Sequence, residues 1–172
     1  MIEKLQGLQF KIELRTIRKE LSQAFIQRYP NLPADYLAFL QEYTLICNKD
    51  ETSWFNGIED FNEENDTAFR WNEFEMMGIE EFEDDEDEKE AIRNFWDTHL
   101  PIALSVKGGY QYLCIDLSAD NFGRIYYGAE PEFEDSAEYV CENLGELFDL
   151  MTNGEKDDIL CIFRRIPVQH FR

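Results

Sequence analysis

Between residues 14 and 29 the apolar positions fall at Leu14, Ile17, Leu21, Phe25 and Tyr29, three or four apart with charges between them. That spacing puts them on one face of a helix, so residues 1–29 read as one or two helices. Pro30 ends this segment. After Asn31 and Leu32, Pro33 opens the next, because its missing N–H would be unpaired in a first turn anyway. From Pro33 to Tyr43, the residues Tyr36, Leu37, Phe39, Leu40 and Tyr43 make a broad apolar helical face. Leu45-Ile46-Cys47 reads as a short strand, and Asn48-Lys49-Asp50-Glu51 as a polar turn. Between residues 60 and 75 the spacing of Phe61, Phe69 and Trp71 is only weakly helical. Ala91 to Trp96 predicts a short helix ending near His99.

After Leu100-Pro101 the pattern changes to strands. Ile102 to Val106 is an apolar run of strand length, and Lys107-Gly108-Gly109 is a tight turn. Tyr110 to Leu117 is a second strand, rich in aromatic and β-branched residues. Residues 118–123 turn the chain into a third, Arg124 to Tyr127. Asp135 or Ser136, with Glu138 placed for a capping box, predicts the start of a long final helix. Its apolar stripe is Val140, Leu144, Leu147, Phe148 and Met151, and Asn153-Gly154 ends it. Ile159 to Phe163 could add a strand, followed by a solvated Arg164-Arg165 pair. Helices, then an antiparallel meander, then a helix give an α+β fold. A chain of 172 residues is expected to form a single domain over 1–172, with a helical N-terminal segment 1–29 and a tail 153–172.

Charge sharpens this picture. The chain holds 37 acids and 16 bases, a net charge of −21. The imbalance is concentrated in residues 31–154, which hold 31 acids and six bases, while residues 1–30 carry six bases and three acids. The extreme stretch is Glu80 to Glu90, EEFEDDEDEKE, with nine acids and one lysine. Such a surface repels phosphate backbones and anionic headgroups, which argues against nucleic-acid and membrane binding and for a basic protein partner. No apolar run is long enough to span a membrane. The start, Met1-Ile2-Glu3-Lys4-Leu5, lacks the apolar core of a signal peptide, so a cytoplasmic location is expected.

Catalytic signatures are missing: there is no nucleophile elbow, phosphate loop or dinucleotide turn. Cys47, Cys114, Cys141 and Cys161 are scattered among apolar neighbours without zinc spacing, and read as reduced packing residues. No local arrangement around His99 or His170 suggests a histidine-based nucleophile relay, and both read as surface or hydrogen-bonded histidines. Among 37 acids some carboxylate pair will suit glycoside hydrolysis by chance, so that signal carries little weight. The run 80–90 has no glycine and none of the order of a calcium loop. It reads as a solvated loop or as a docking strip for a basic protein. Trp54, Phe55, Trp71, Phe74 and Phe82 lie in acid-rich sequence. Core packing is the commoner fate of such rings, and interface anchoring the alternative.

Leu32-Pro33-Ala34-Asp35-Tyr36-Leu37-Ala38-Phe39-Leu40 resembles the opening helix signature of the SUKH superfamily, proteins like the SMI/KNR cell-wall synthesis regulators. Leu100 to Leu104, Gly108-Gly109 and Leu113 to Leu117 are similar to its central hairpin, and Gly123 to Tyr126 with the segment 135–151 to its closing portion. The resemblance spans residues 30–152. It departs from the family after the first helix, where Tyr43 to Lys49 stands in place of an Asn-Gly, and in the long acidic stretch 60–99. The resemblance implies a non-enzymatic α+β protein without a cofactor, with a mixed, largely antiparallel sheet whose central meander is flanked by helices. In bacteria many such proteins are immunity proteins that neutralise a cognate polymorphic toxin, often a nuclease; others are regulatory scaffolds. The expected contact surface comprises Trp54, Trp71, Phe74, Glu80, Glu81, Glu83, Asp84, Asp85, Glu86 and Asp87. A carboxylate hydrolase is the third reading, and it requires a concave pocket with two acids of separated pKa.

Overall fold

The computed structural model describes residues 2–65 and 69–163. Seven strands, β1 (Lys11–Leu14), β2 (Tyr43–Cys47), β3 (Ser53–Phe55), β4 (His99–Ser105), β5 (Gln111–Asp116), β6 (Ile125–Ala129) and β7 (Glu138–Cys141), form one sheet in chain order. Every pairing is antiparallel, so the fold is α+β and the meander expected at its centre runs through all seven described strands, with no parallel pair. The helices are α1 (Ile2–Gly7), α2 (Gln23–Arg28), α3 (Ala34–Glu42), α4 (Ile58–Phe61), α5 (Glu73–Glu81), α6 (Glu86–Thr98), α7 (Leu144–Asn153) and α8 (Asp157–Leu160), followed by a 3-10 turn at Cys161–Phe163.

Strand β5 shows why helices lie on both faces. Tyr112 and Cys114 point to one side and Leu113 and Ile115 to the other, and all four are buried. Leu113 and Ile115 join a large core with Phe39 and Leu40 of α3, Leu147, Phe148 and Met151 of α7, and Leu5 of α1. Tyr112 and Cys114 join a smaller core with Phe74 of α5 and Ile92 and Trp96 of α6. At Gly128 of β6, opposite Tyr112, a Cβ would stand 2.3 Å from the tyrosine ring, so only glycine admits that ring.

Several expectations hold. Helix α3 follows Pro33, and Gly154 takes the left-handed conformation at the end of α7, with φ 72°. Gly108 and Gly109 turn the β4–β5 hairpin at positive φ.

Others are corrected. Residues 1–29 are not wholly helical: Lys11–Leu14 is an edge strand, paired to β2 through Lys11 opposite Cys47. Leu14 and Ile17 are 52% and 79% exposed, so the apparent stripe has no core to face before Leu21. The buried Arg15 guanidinium fixes this loop instead, donating to Leu40 O, Tyr43 O and both Glu59 carboxylate oxygens. Trp54-Phe55 forms a strand that the pattern left unassigned. The capping box at Asp135 and Glu138 does not form, because Glu138–Cys141 pairs with β6. Helix α7 begins later, after Asn143, whose Oδ1 accepts from Glu146 N at 3.0 Å. Ile159–Phe163 is helical turn, not strand, and packs inward through Ile159, Leu160 and Phe163. The Arg164-Arg165 pair and His170 lie outside the described residues.

Candidate protein-binding surface

The acidic run is not one loop. Its first two residues complete α5, Phe82 to Asp85 make the turn, and α6 starts at Glu86, five residues before the expected Ala91. The Asp85 side chain accepts from Glu88 N at 3.2 Å, capping one of the free N–H groups of the first turn. All nine acids of 80–90 are exposed, so the run forms the tip of a helical hairpin.

The helix dipole treats the two halves of the run differently. Glu86, Asp87 and Glu88 occupy the first turn of α6, where negative charge is favoured. Glu80 and Glu81 occupy the last turn of α5, which holds no base, and Glu83 and Asp84 follow directly. The carboxylates of Glu80 and Glu81 oppose the dipole, at a cost on the order of 0.3–1 kcal/mol each at low salt. Helix stability therefore accounts for the second half of the run and not for the first. Lys89 and Arg93 both turn to Glu86, at 2.8 and 4.0 Å, and the lysine hydrogen bond holds that carboxyl below its ordinary range.

The hairpin is fastened at its base. Arg28 of α2 donates two hydrogen bonds of 2.8 Å to the buried Glu75 and one of 2.9 Å to Asp97. Burial works against the Arg28 charge, and the hydrogen bonds to Glu75 together with the nearby charges of Glu75 and Asp97 outweigh it, raising its pKa. Tyr29 donates to Trp96 O at 2.7 Å. Trp96 Nε1 donates to Glu134 at 2.6 Å, and burial pushes the Glu134 carboxyl up.

A family model, that of the SMI1 / KNR4 family (SUKH-1), matches residues 17–150. The chain belongs to this family. No curated protein and no solved structure matches it. The family includes immunity proteins and is generally non-enzymatic.

In this SUKH-1 protein the ten expected contact residues part company. Glu80, Glu81, Glu83, Asp84, Asp85, Glu86 and Asp87 lie together at the exposed tip. Trp71 and Phe74 are corrected to packing residues. Trp71 sits in the large core against Phe25, Tyr29 and Phe61, and Phe74 stacks on Phe133 at 4.6 Å. Trp54 is half-buried on β3, edge-on to Phe69. The aromatic that does stand among the acids is Phe82, 38% exposed in the turn between the helices.

Among the described residues of this SUKH-1 chain, the other candidate groups have partners or are buried or half-buried. His99 stacks on Phe95 at 4.1 Å; its Nδ1 lies 3.0 Å from Phe95 O and its Nε2 3.5 Å from the buried Asp116. An open groove of about 340 Å³ runs beside Arg15 to Lys19 and is lined by one carboxylate, Glu59. Arg15 holds that carboxyl below its ordinary range, so the groove lacks the two separated acids of a hydrolase. All four cysteines are free; burial pushes Cys141 up to about 12 and Cys114 well above its ordinary value. Among the described residues there is no cluster of three His, Cys, Asp or Glu side chains suited to a metal ion, and no helix long and apolar enough to cross a membrane.

Proposed function

We propose that this SUKH-1 protein is a non-catalytic binding protein, an immunity protein that neutralises a cognate toxin by covering a basic face, such as the phosphate-binding face of a nuclease. The observation that carries this reading is the α5–α6 tip: nine exposed acids, with those at the end of α5 set against its dipole and Phe82 exposed among them. Proteins tend to break local stability rules where function demands it. An apolar ring rimmed by like charges has the anatomy of an interface anchor, and clustered carboxylates accelerate encounter with a cationic partner. A cytoplasmic setting is part of the proposal, in keeping with four cysteines that form no disulfide.

Two steps test it. The protein is used to capture its partner from the native host, and the captured partner is then expressed with and without it. Growth arrest relieved by co-expression supports neutralisation. A captured housekeeping protein that causes no arrest makes the chain a regulatory scaffold instead.

A further inference from the structure

On the sheet face that carries α5 and α6, four rings touch in sequence across three strands and a helix. Phe95 of α6 stacks flat on His99 of β4 at 4.1 Å, with 2° between the planes. His99 meets Tyr126 of β6 edge-on at 5.9 Å, and Tyr126 meets Tyr139 of β7 in the same way at 5.9 Å. A bulge makes the last contact: the register passes from Ile125 opposite Cys141 to Tyr126 opposite Tyr139, skipping Val140. Val140 and Cys141 both enter the large core, and Tyr139 is left on the opposite face. Helix α6 packs over β4, while beyond it Tyr126 is half-buried and Tyr139 is 40% exposed.

The setting of this row is anionic. Exposed Glu142 and Glu146 stand beside Tyr139, whose hydroxyl donates to Glu142 at 2.6 Å, and Arg124 is engaged with Glu142 at 3.2 Å. The Tyr139 ring already holds a cation, Lys156 Nζ, 5.8 Å from its centroid. The row is also continuous with the acidic tip. Asp87, Ala91 and Phe95 are four residues apart on α6 and share a face, so about 12 Å of helix joins the two.

We infer that the Phe95–His99–Tyr126–Tyr139 row is the second half of the partner surface, and that it receives an arginine-bearing segment of a cationic protein whose remaining positive charge reaches the α5–α6 tip. This rests on the binding reading above and names the side chain recognised. Arginine fits better than lysine, because a planar guanidinium stacks on rings while donating to carboxylates such as Glu142 and Glu146 beside Tyr139.

The test uses capped hexa-arginine and hexa-lysine peptides as probes, titrated at low salt into the full chain labelled with 15N. Hexa-arginine is expected to shift the amide signals of Phe95, His99, Tyr126 and Tyr139 as well as those of 80–90. Tyr139→Ala should weaken hexa-arginine about fivefold and leave hexa-lysine within about twofold. Tyr139→Phe, which keeps the ring and loses its bond to Glu142, should bind as the parent does. Shifts confined to 80–90, with hexa-arginine unaffected by Tyr139→Ala, overturn the row and leave the acidic tip standing. Failure of both peptides to bind overturns the row and the electrostatic reading together. A Tyr139→Ala melting temperature equal to the parent's separates lost binding from lost folding.

Discussion

Arg28 and Glu75 face each other fork to fork, with two N–H···O bonds of 2.8 Å, and join α2 to the acidic hairpin across the boundary of the two cores. Glu75 is 7% exposed, so removing Arg28 would strand a buried carboxylate without its partner. Arg28→Met should destabilise the protein by roughly 3 kcal/mol, the order of cost when one member of a buried pair is removed. The double variant Arg28→Met, Glu75→Met should recover much of the loss, since two apolar side chains leave no buried charge. Urea midpoints of the three proteins check this, and a single variant within about 1 kcal/mol of the parent would show that the pair behaves as a surface bridge.

Gly128 and Tyr112 depend on one another in the same steric sense. A methyl group at 128 would fall 2.3 Å from a ring whose hydroxyl is tied to Phe133 O. Gly128→Ala should therefore cost about 1–3 kcal/mol through overpacking. Gly128→Ala with Tyr112→Leu should be milder than the sum of the two single changes. Thermal melts of the three variants measure the coupling.

Two carboxylates should give pH dependences of opposite sign. Glu134 is raised by burial; a folded pKa above the unfolded one means stability that is present below the unfolded pKa and lost as pH rises through the folded pKa. Glu134→Gln keeps an oxygen for Trp96 Nε1 and should gain in melting temperature over the parent at pH 7, with the gain shrinking at pH 4. Glu59 is lowered by Arg15, so its contribution is present above its unfolded pKa and lost as pH falls through the folded one. Glu59→Gln should lose more stability at pH 7 than at pH 3. Melts of both variants across this range decide the signs.

What the sequence revealed follows from how local each signal is. Helix α3 and the β4–β5–β6 hairpins were legible because Pro33, Gly108 and Gly109 act on their own turns. Strands β1, β3 and β7 were not, since segments of four residues or fewer become strands only through their partners: β1 through β2 about 30 positions away, β3 between β2 and the distant β4, and β7 through the register of β6. Tyr139 was consequently assigned to a helix, and the ring row it completes has no trace in the linear pattern. The acidic run was legible as exposed charge but not as a hairpin. One signal within it was available: Asp85 followed three residues later by Glu88, an N-cap with an acidic first turn. Trp71 and Phe74 were attractive as anchors only because irregular spacing hid that they face two different cores.

Cysteine accessibility offers an independent check of the packing. Cys161 is half-buried, while Cys47, Cys114 and Cys141 are buried and burial raises all three thiols. A chromogenic disulfide reagent at pH 8 should react with one thiol quickly and release the other three only on unfolding. Four equally fast thiols would contradict the two-core arrangement.

The electrostatic role of the α5–α6 tip is tested most directly by association kinetics with the captured partner as salt is varied. Glu80→Gln, Glu83→Gln, Asp84→Asn and Asp87→Asn together remove four charges at the tip; Asp50→Asn, Asp120→Asn, Glu132→Gln and Asp158→Asn remove four exposed charges elsewhere. The tip variant is expected to associate about tenfold more slowly at low salt with a flattened salt dependence, and the second variant to stay close to the parent. Equal slowing in both, or none in either, would show that only net charge matters, or that the tip is not the docking surface.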